Sequence, residues 1–119
     1  MQYIILTGDE NLTLDAVRKI EHYDSISHHD VHKDRFCVDY GKDHIFYHYS
    51  EDTNDYEEED IEKIPYENPH FITMIYTDVE RMKKVIQQDN FLRGIYVDND
   101  AGLIMPIEEF IYMGMPMGT

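Results

Sequence analysis

Positive charge is what this sequence has least of. Ten Lys and Arg stand against 25 Asp and Glu, a formal net charge of −15 at pH 7 on 119 residues. A field of that sign repels phosphate backbones and anionic lipid, which excludes ordinary nucleic-acid binding and electrostatic membrane docking. Cysteine is nearly absent as well. The one thiol, Cys37, has no intramolecular disulfide partner, so a reducing cytoplasm is the expected compartment. No apolar run approaches the ~18 residues of a membrane span. The start, MQYIILTGDE, has no basic leader, and its apolar run stops short of the ~7–15 residues of a secretory core. Phosphate cradles of the G-x-x-x-x-G-K-S/T or G-x-G-x-x-G kind are missing, as are H-E-x-x-H and paired C-x-x-C ligand sets.

What is present suffices for a core. Apolar residues make up 42% of the chain, with ten Tyr and five Phe in place of tryptophan. That composition predicts one folded domain over 1–119. The first half is 1–50, an acidic connector follows over 51–70, the second half is 71–112, and 113–119 is a flexible tail. Gln2–Thr7 is a short apolar run ended by Gly8-Asp9, the pattern of a buried strand. Leu14, Val17 and Ile20 recur at helical spacing behind Asn11 or Thr13 as caps, predicting a helix from Thr13 to His22. Ser25–Lys33 is polar and reads as a weak edge strand or loop. Arg35–Tyr40 and His44–Tyr49 flank a Gly-containing loop, which predicts a hairpin.

In the second half, Phe71–Tyr76 repeats the buried-strand pattern. Thr77-Asp78-Val79-Glu80 fits a capping box and should start a helix with Val79, Met82, Val85 and Ile86 inward. Gly94–Val97 and Leu103–Met105 flank a turn, and Pro106 suits only an edge strand. Ile107–Tyr112 is open to either a strand or a short helix. The fold class is therefore α+β: two helices on one face of a mainly antiparallel sheet, in two similar strand–helix–hairpin halves. Laid over each other, Val38-Asp39 falls on Val97-Asp98 and Ile45 on Ile104. This layout resembles the vicinal-oxygen-chelate fold and the repeats of GyrI-like ligand-binding domains. Asp98-Asn99-Asp100-Ala101-Gly102-Leu103-Ile104 is similar to the D-x-x-G-x-x-aliphatic hairpin of the first family. The likeness covers one hairpin and assigns no ligands.

Four side-chain groups are candidates for chemistry. His28, His32, His44 and His48, with Asp30, have the donor types for a divalent metal, and a strand over Ser25–Lys33 would place His28, Asp30 and His32 on one face. Asp98–Glu109 fails as a calcium loop, because the register that places Gly102 correctly puts Val97 and Ala101 at ligand positions. Cys37 sits in an alternating strand, where a packing role outweighs a nucleophilic one.

The acidic run is the fourth and strongest group. Residues 51–62 hold Glu51, Asp52, Asp55, Glu57, Glu58, Glu59, Asp60 and Glu62 without a Lys or Arg. Carboxylates interleaved with tyrosine suit a basic protein surface, through bidentate pairs to Arg and aromatic contact area. The residues expected to bind a partner are Tyr49, Asp55, Tyr56, Glu57, Glu58, Glu59 and Asp60. The expectation is a cytoplasmic binding module of the inhibitor or immunity type, masking a basic partner such as a nuclease. It needs no cofactor, contacts no nucleic acid or membrane directly, and has a homodimer through an exposed strand open to it. The alternative is a metal-dependent enzyme or small-ligand domain using His28, His32, His44 and His48.

Overall fold

Alternation of apolar and polar residues builds the sheet, because each strand has one face to bury. The computed structural model describes residues 2–50, 62, 64–99 and 103–116. In order these are β1 (Gln2–Gly8), α1 (Leu14–Arg18), β2 (Ser27–His32), β3 (Arg35–Asp39), β4 (His44–Ser50) and β5 (His70–Tyr76). Then come α2 (Val79–Gln87), β6 (Tyr96–Asp98), β7 (Ile104–Pro106) and α3 (Ile107–Tyr112). The strands form one sheet in the order β2-β3-β4-β5-β1-β6-β7. Every neighbouring pair is antiparallel. The chain is thus an α+β protein, with a third short helix besides the two expected.

One face of the sheet holds the core. Phe36 lies opposite Tyr47, Tyr47 opposite Met74, Met74 opposite Ile4, and Leu6 opposite both Ile72 and Val97. These join Leu14 and Val17 of α1, Met82, Val85 and Ile86 of α2, and Ile107 and Phe110 of α3 in a single buried cluster. α1 packs on β3 and β4, α2 on β5, and α3 on β6 and β7. Tyr3, Ile5, Arg35, Cys37, Phe46, His48, Thr73 and Ile75 stand on the opposite face by the same register. No described helix contributes to that face, yet Cys37 and Phe71 are buried there. β7 is an edge strand, which is why Pro106 costs no ladder bond. It also caps α3.

β1 and β5 stand side by side at the centre. Strands β2–β4 extend outward from β5, and the β6–β7 hairpin extends from β1. The later strands of each half therefore join the first strand of the other. One half supplies three such strands and the other two. Among the described residues, no helix is long and apolar enough to cross a membrane.

The helix ends depart from the sequence pattern. α1 stops at Arg18, with Lys19 as its C-cap, rather than reaching His22. The reason is a long-range capture. Gln88, just past α2, donates from Nε2 to the Glu21 carbonyl (2.9 Å) and accepts the Tyr23 amide on Oε1 (3.1 Å). Those bonds take up the Glu21 carbonyl and the Tyr23 amide outside the helix, and the chain turns at 23–24. Thr13 caps α1 as expected, its Oγ1 accepting from the Ala16 amide.

α2 begins where expected, but Asp78 is the cap, accepting the Glu80 amide at 3.0 Å. Thr77 accepts the His44 amide instead, tying the end of β5 to β4. Asp78→Ala is therefore expected to cost about 1 kcal/mol, the usual worth of an N-cap. Urea unfolding at neutral pH measures it, and an unchanged midpoint with an unchanged slope would reject the cap.

Candidate functional site

The segment held out of α1 walls a cleft. Ile20, Phe36 and Val38 are among its apolar lining, and Arg18, Asp24 and His28 among its polar lining. Its volume is about 510 Å³. Arg18 is fixed there from both sides. Its guanidinium bonds Asp15 one turn back (2.6 Å) and Asp30 on β2 (2.9 Å), and lies 5.9 Å from the Phe36 ring centre.

His22, which lines the cleft, forms a buried pair with Tyr47. His22 Nδ1 lies 3.1 Å from the Ile20 carbonyl. A carbonyl only accepts, so Nδ1 carries the proton and Nε2 is the acceptor. The Tyr47 hydroxyl therefore donates to Nε2, at 2.8 Å. Burial pushes the imidazole down from 6.5 to about 4 and the phenol well above 10.0. Both groups are neutral at pH 7. Tyr47 is 0% exposed, so no substrate reaches its oxygen. The pair is a brace joining the α1–β2 connection to the sheet.

The histidines of the metal reading fall on two faces. His28 pairs with Val38 and Asp30 with Phe36, so both point to the helix side. A bulge between Asp30 and His32 shifts the register, and His32 pairs with Arg35. A bulge adds a residue to one strand and turns the following side chain over. His32 therefore leaves the face of His28 and Asp30 and meets His48, ring centres 5.9 Å apart. His44 sits further along the same face, 3.2 Å from Asp39 and stacked on Phe46. The structure brings His32 and His48 together and keeps His28 and His44 apart from them. Among the described residues, no group of three or more His, Cys, Asp or Glu side chains is placed to hold a metal ion. Burial, and then the charges of Arg35 and His32, push the His48 imidazole down, opposed by Asp34.

Of the residues expected to meet a partner, only Tyr49 lies within the described part. It is half-buried near the end of β4, its hydroxyl 3.0 Å from His70 Nδ1 and its ring edge-on to that imidazole. Asp55, Tyr56, Glu57, Glu58, Glu59 and Asp60 lie outside the described residues. Cys37 is buried on the helix-free face, and burial raises its thiol, which leaves a packing side chain and not a thiolate.

His22, Tyr47 and Gln88 escaped the sequence reading. Their bonds span 25 to 67 residues, and His22 lies in a polar stretch with no local pattern. Compared with protein-family models, with curated proteins and with solved structures, the chain matches none.

Proposed function

We propose that this protein acts by binding, as an acidic module that engages a basic protein partner through its 51–62 segment. One observation carries the reading. The acidic connector joins two hydrogen-bonded neighbours, with Ser50 on β4 directly opposite Phe71 on β5. The sheet fixes both ends of the connector, and the strands keep their register through their own backbone bonds. The eight carboxylates of 51–62 follow Ser50 directly in sequence, and charge of that density suits fast, charge-steered association. Tyr49 stands at the same end, against His70. The partner in this reading presents Arg and Lys, as a nuclease toxin or nucleic-acid enzyme does. A reducing cytoplasm suits the lone buried thiol.

Reversing charge at Glu57, Glu58, Glu59 and Asp60 to Lys tests it. The expected result is an unfolding midpoint within about 0.5 kcal/mol of wild type, as for surface changes. Capture of basic proteins should fall at least about tenfold at low salt, where charges more than ~10 Å apart are least screened. Capture that is equal in both proteins, or insensitive to salt, would reject the reading. The small-ligand alternative is served by the cleft of about 510 Å³, a volume within the range of ligand sites.

A further inference from the structure

The chain has four arginines, and three are engaged. Arg18 bonds Asp15 and Asp30. Arg81 bonds Asp43 at 3.2 Å and lies 4.3 Å from the Tyr40 ring centre. Arg93 donates to the carbonyls of Ile86, Leu92 and Gln88. Arg35 differs. It opens β3 on the helix-free face, and its Nε is buried with no acceptor. Yet the chain carries 25 carboxylates.

Its neighbours share the deficit. Register places His32 opposite Arg35 on one side and His48 opposite it on the other. His48 Nδ1 is also buried without a partner. His32 Nδ1 accepts the Asp34 amide at 3.1 Å, so its proton sits on Nε2 as a further donor. Thr73 faces His48 from β5 and brings no charge. Buried polar atoms without partners are rare in folded proteins, and the Arg35 Nε–H beside His48 Nδ1, which donates in its Nδ1–H tautomer, suits a bound acceptor.

We propose that His32, Arg35 and His48 form an oxyanion site that takes a phosphate group, free or carried on a small molecule. The permanent charge of Arg35 between two imidazoles opposes a metal cation and favours an anion. Phosphate supplies acceptor oxygens for a planar guanidinium and two ring N–H groups at once. The site selects the charge opposite to that selected by the acidic connector. Among the described arginines, Arg35 has neither a bonded carboxylate nor a bonded carbonyl.

The test follows the Arg35 Nε–H and the His32 and His48 ring signals by NMR in the full chain. Inorganic phosphate is titrated against chloride at equal ionic strength. A saturable shift of these signals with phosphate and none with chloride is expected, with Arg18 and Arg93 unmoved. Arg35→Lys keeps the charge and removes the fork, and should weaken phosphate binding at least about tenfold as read at His32 and His48. A parallel titration with phenyl phosphate separates the sources. Saturation there extends the site to monoesters, and saturation with inorganic phosphate alone limits it to the free ion. Shifts that stay linear, that chloride reproduces, or that keep full affinity in Arg35→Lys would overturn the proposal. The wild-type titration decides even if the variant does not fold.

Discussion

Lowering the pH from 6.5 to about 4 is expected to remove about 3 kcal/mol of stability through His22 alone. The imidazole is buried, with 7% exposure, and its folded value lies at about 4 against 6.5 in the unfolded chain. Between those values the unfolded chain binds the proton and the folded chain does not. Stability from this group is complete above pH 6.5 and is lost as pH falls towards 4, at about 1.36 kcal/mol per unit. The physical cause is first the desolvation of the charged ring. The geometry agrees, because protonated Nε2 would lose its role as acceptor for the Tyr47 hydroxyl. Urea unfolding across this window, for wild type and His22→Gln, isolates the effect from the carboxylates and the other histidines. The variant should be the less stable at pH 7, and its deficit should shrink by about 3 kcal/mol as the pH reaches 4. A deficit that stays constant with pH would show that His22 titrates normally. Tyr47→Phe should cost about 1–3 kcal/mol at pH 7, since it leaves buried Nε2 without a donor.

Phe110→Ala should cost more, about 3–5 kcal/mol, the range for emptying a phenyl site in a closed core. Phe110 is 0% exposed on α3, as is Ile107 one turn earlier. Met115 folds back over the end of the helix, its amide bonded to the Phe110 carbonyl at 2.9 Å, and is itself buried. Cavity collapse is therefore blocked on the sheet side by β6 and β7 and on the outer side by the returning chain. Domains of this size are stable by roughly 5–15 kcal/mol, so such a loss approaches unfolding. Tyr112 on the same helix is 90% exposed, and Tyr112→Ala should stay within about 0.5 kcal/mol of wild type. Denaturant midpoints compare the two. Similar costs would mean that α3 docks without joining the cooperative core.

The strands were legible because their period has a local cause. Phe36 and Val38, Ile45 and Tyr47, and Ile72 and Met74 alternate with side chains of the other face, and each strand buries its own face whatever its neighbour. The start of α2 was legible to within one residue, since a cap acts on the next turn of the same chain. The end of α1 was not. Gln88, 65 residues beyond Tyr23, decides it. The histidine positions failed for a related reason. One bulge between Asp30 and His32 reverses the side-chain parity that a strand reading assumes.

By itself the sequence determined an acidic chain, an α+β class, an antiparallel sheet with helices on one side, and a connector dense in carboxylates. Composition and period carry these properties, and both are local sums over residues. Tertiary structure alone decided the strand order, the buried His22–Tyr47 pair, the separation of His28 from His32, and the gathering of His32, Arg35 and His48 on the helix-free face. Each depends on which distant segments the sheet sets side by side, and hydrogen-bond pairing between strands carries no mark in the local sequence.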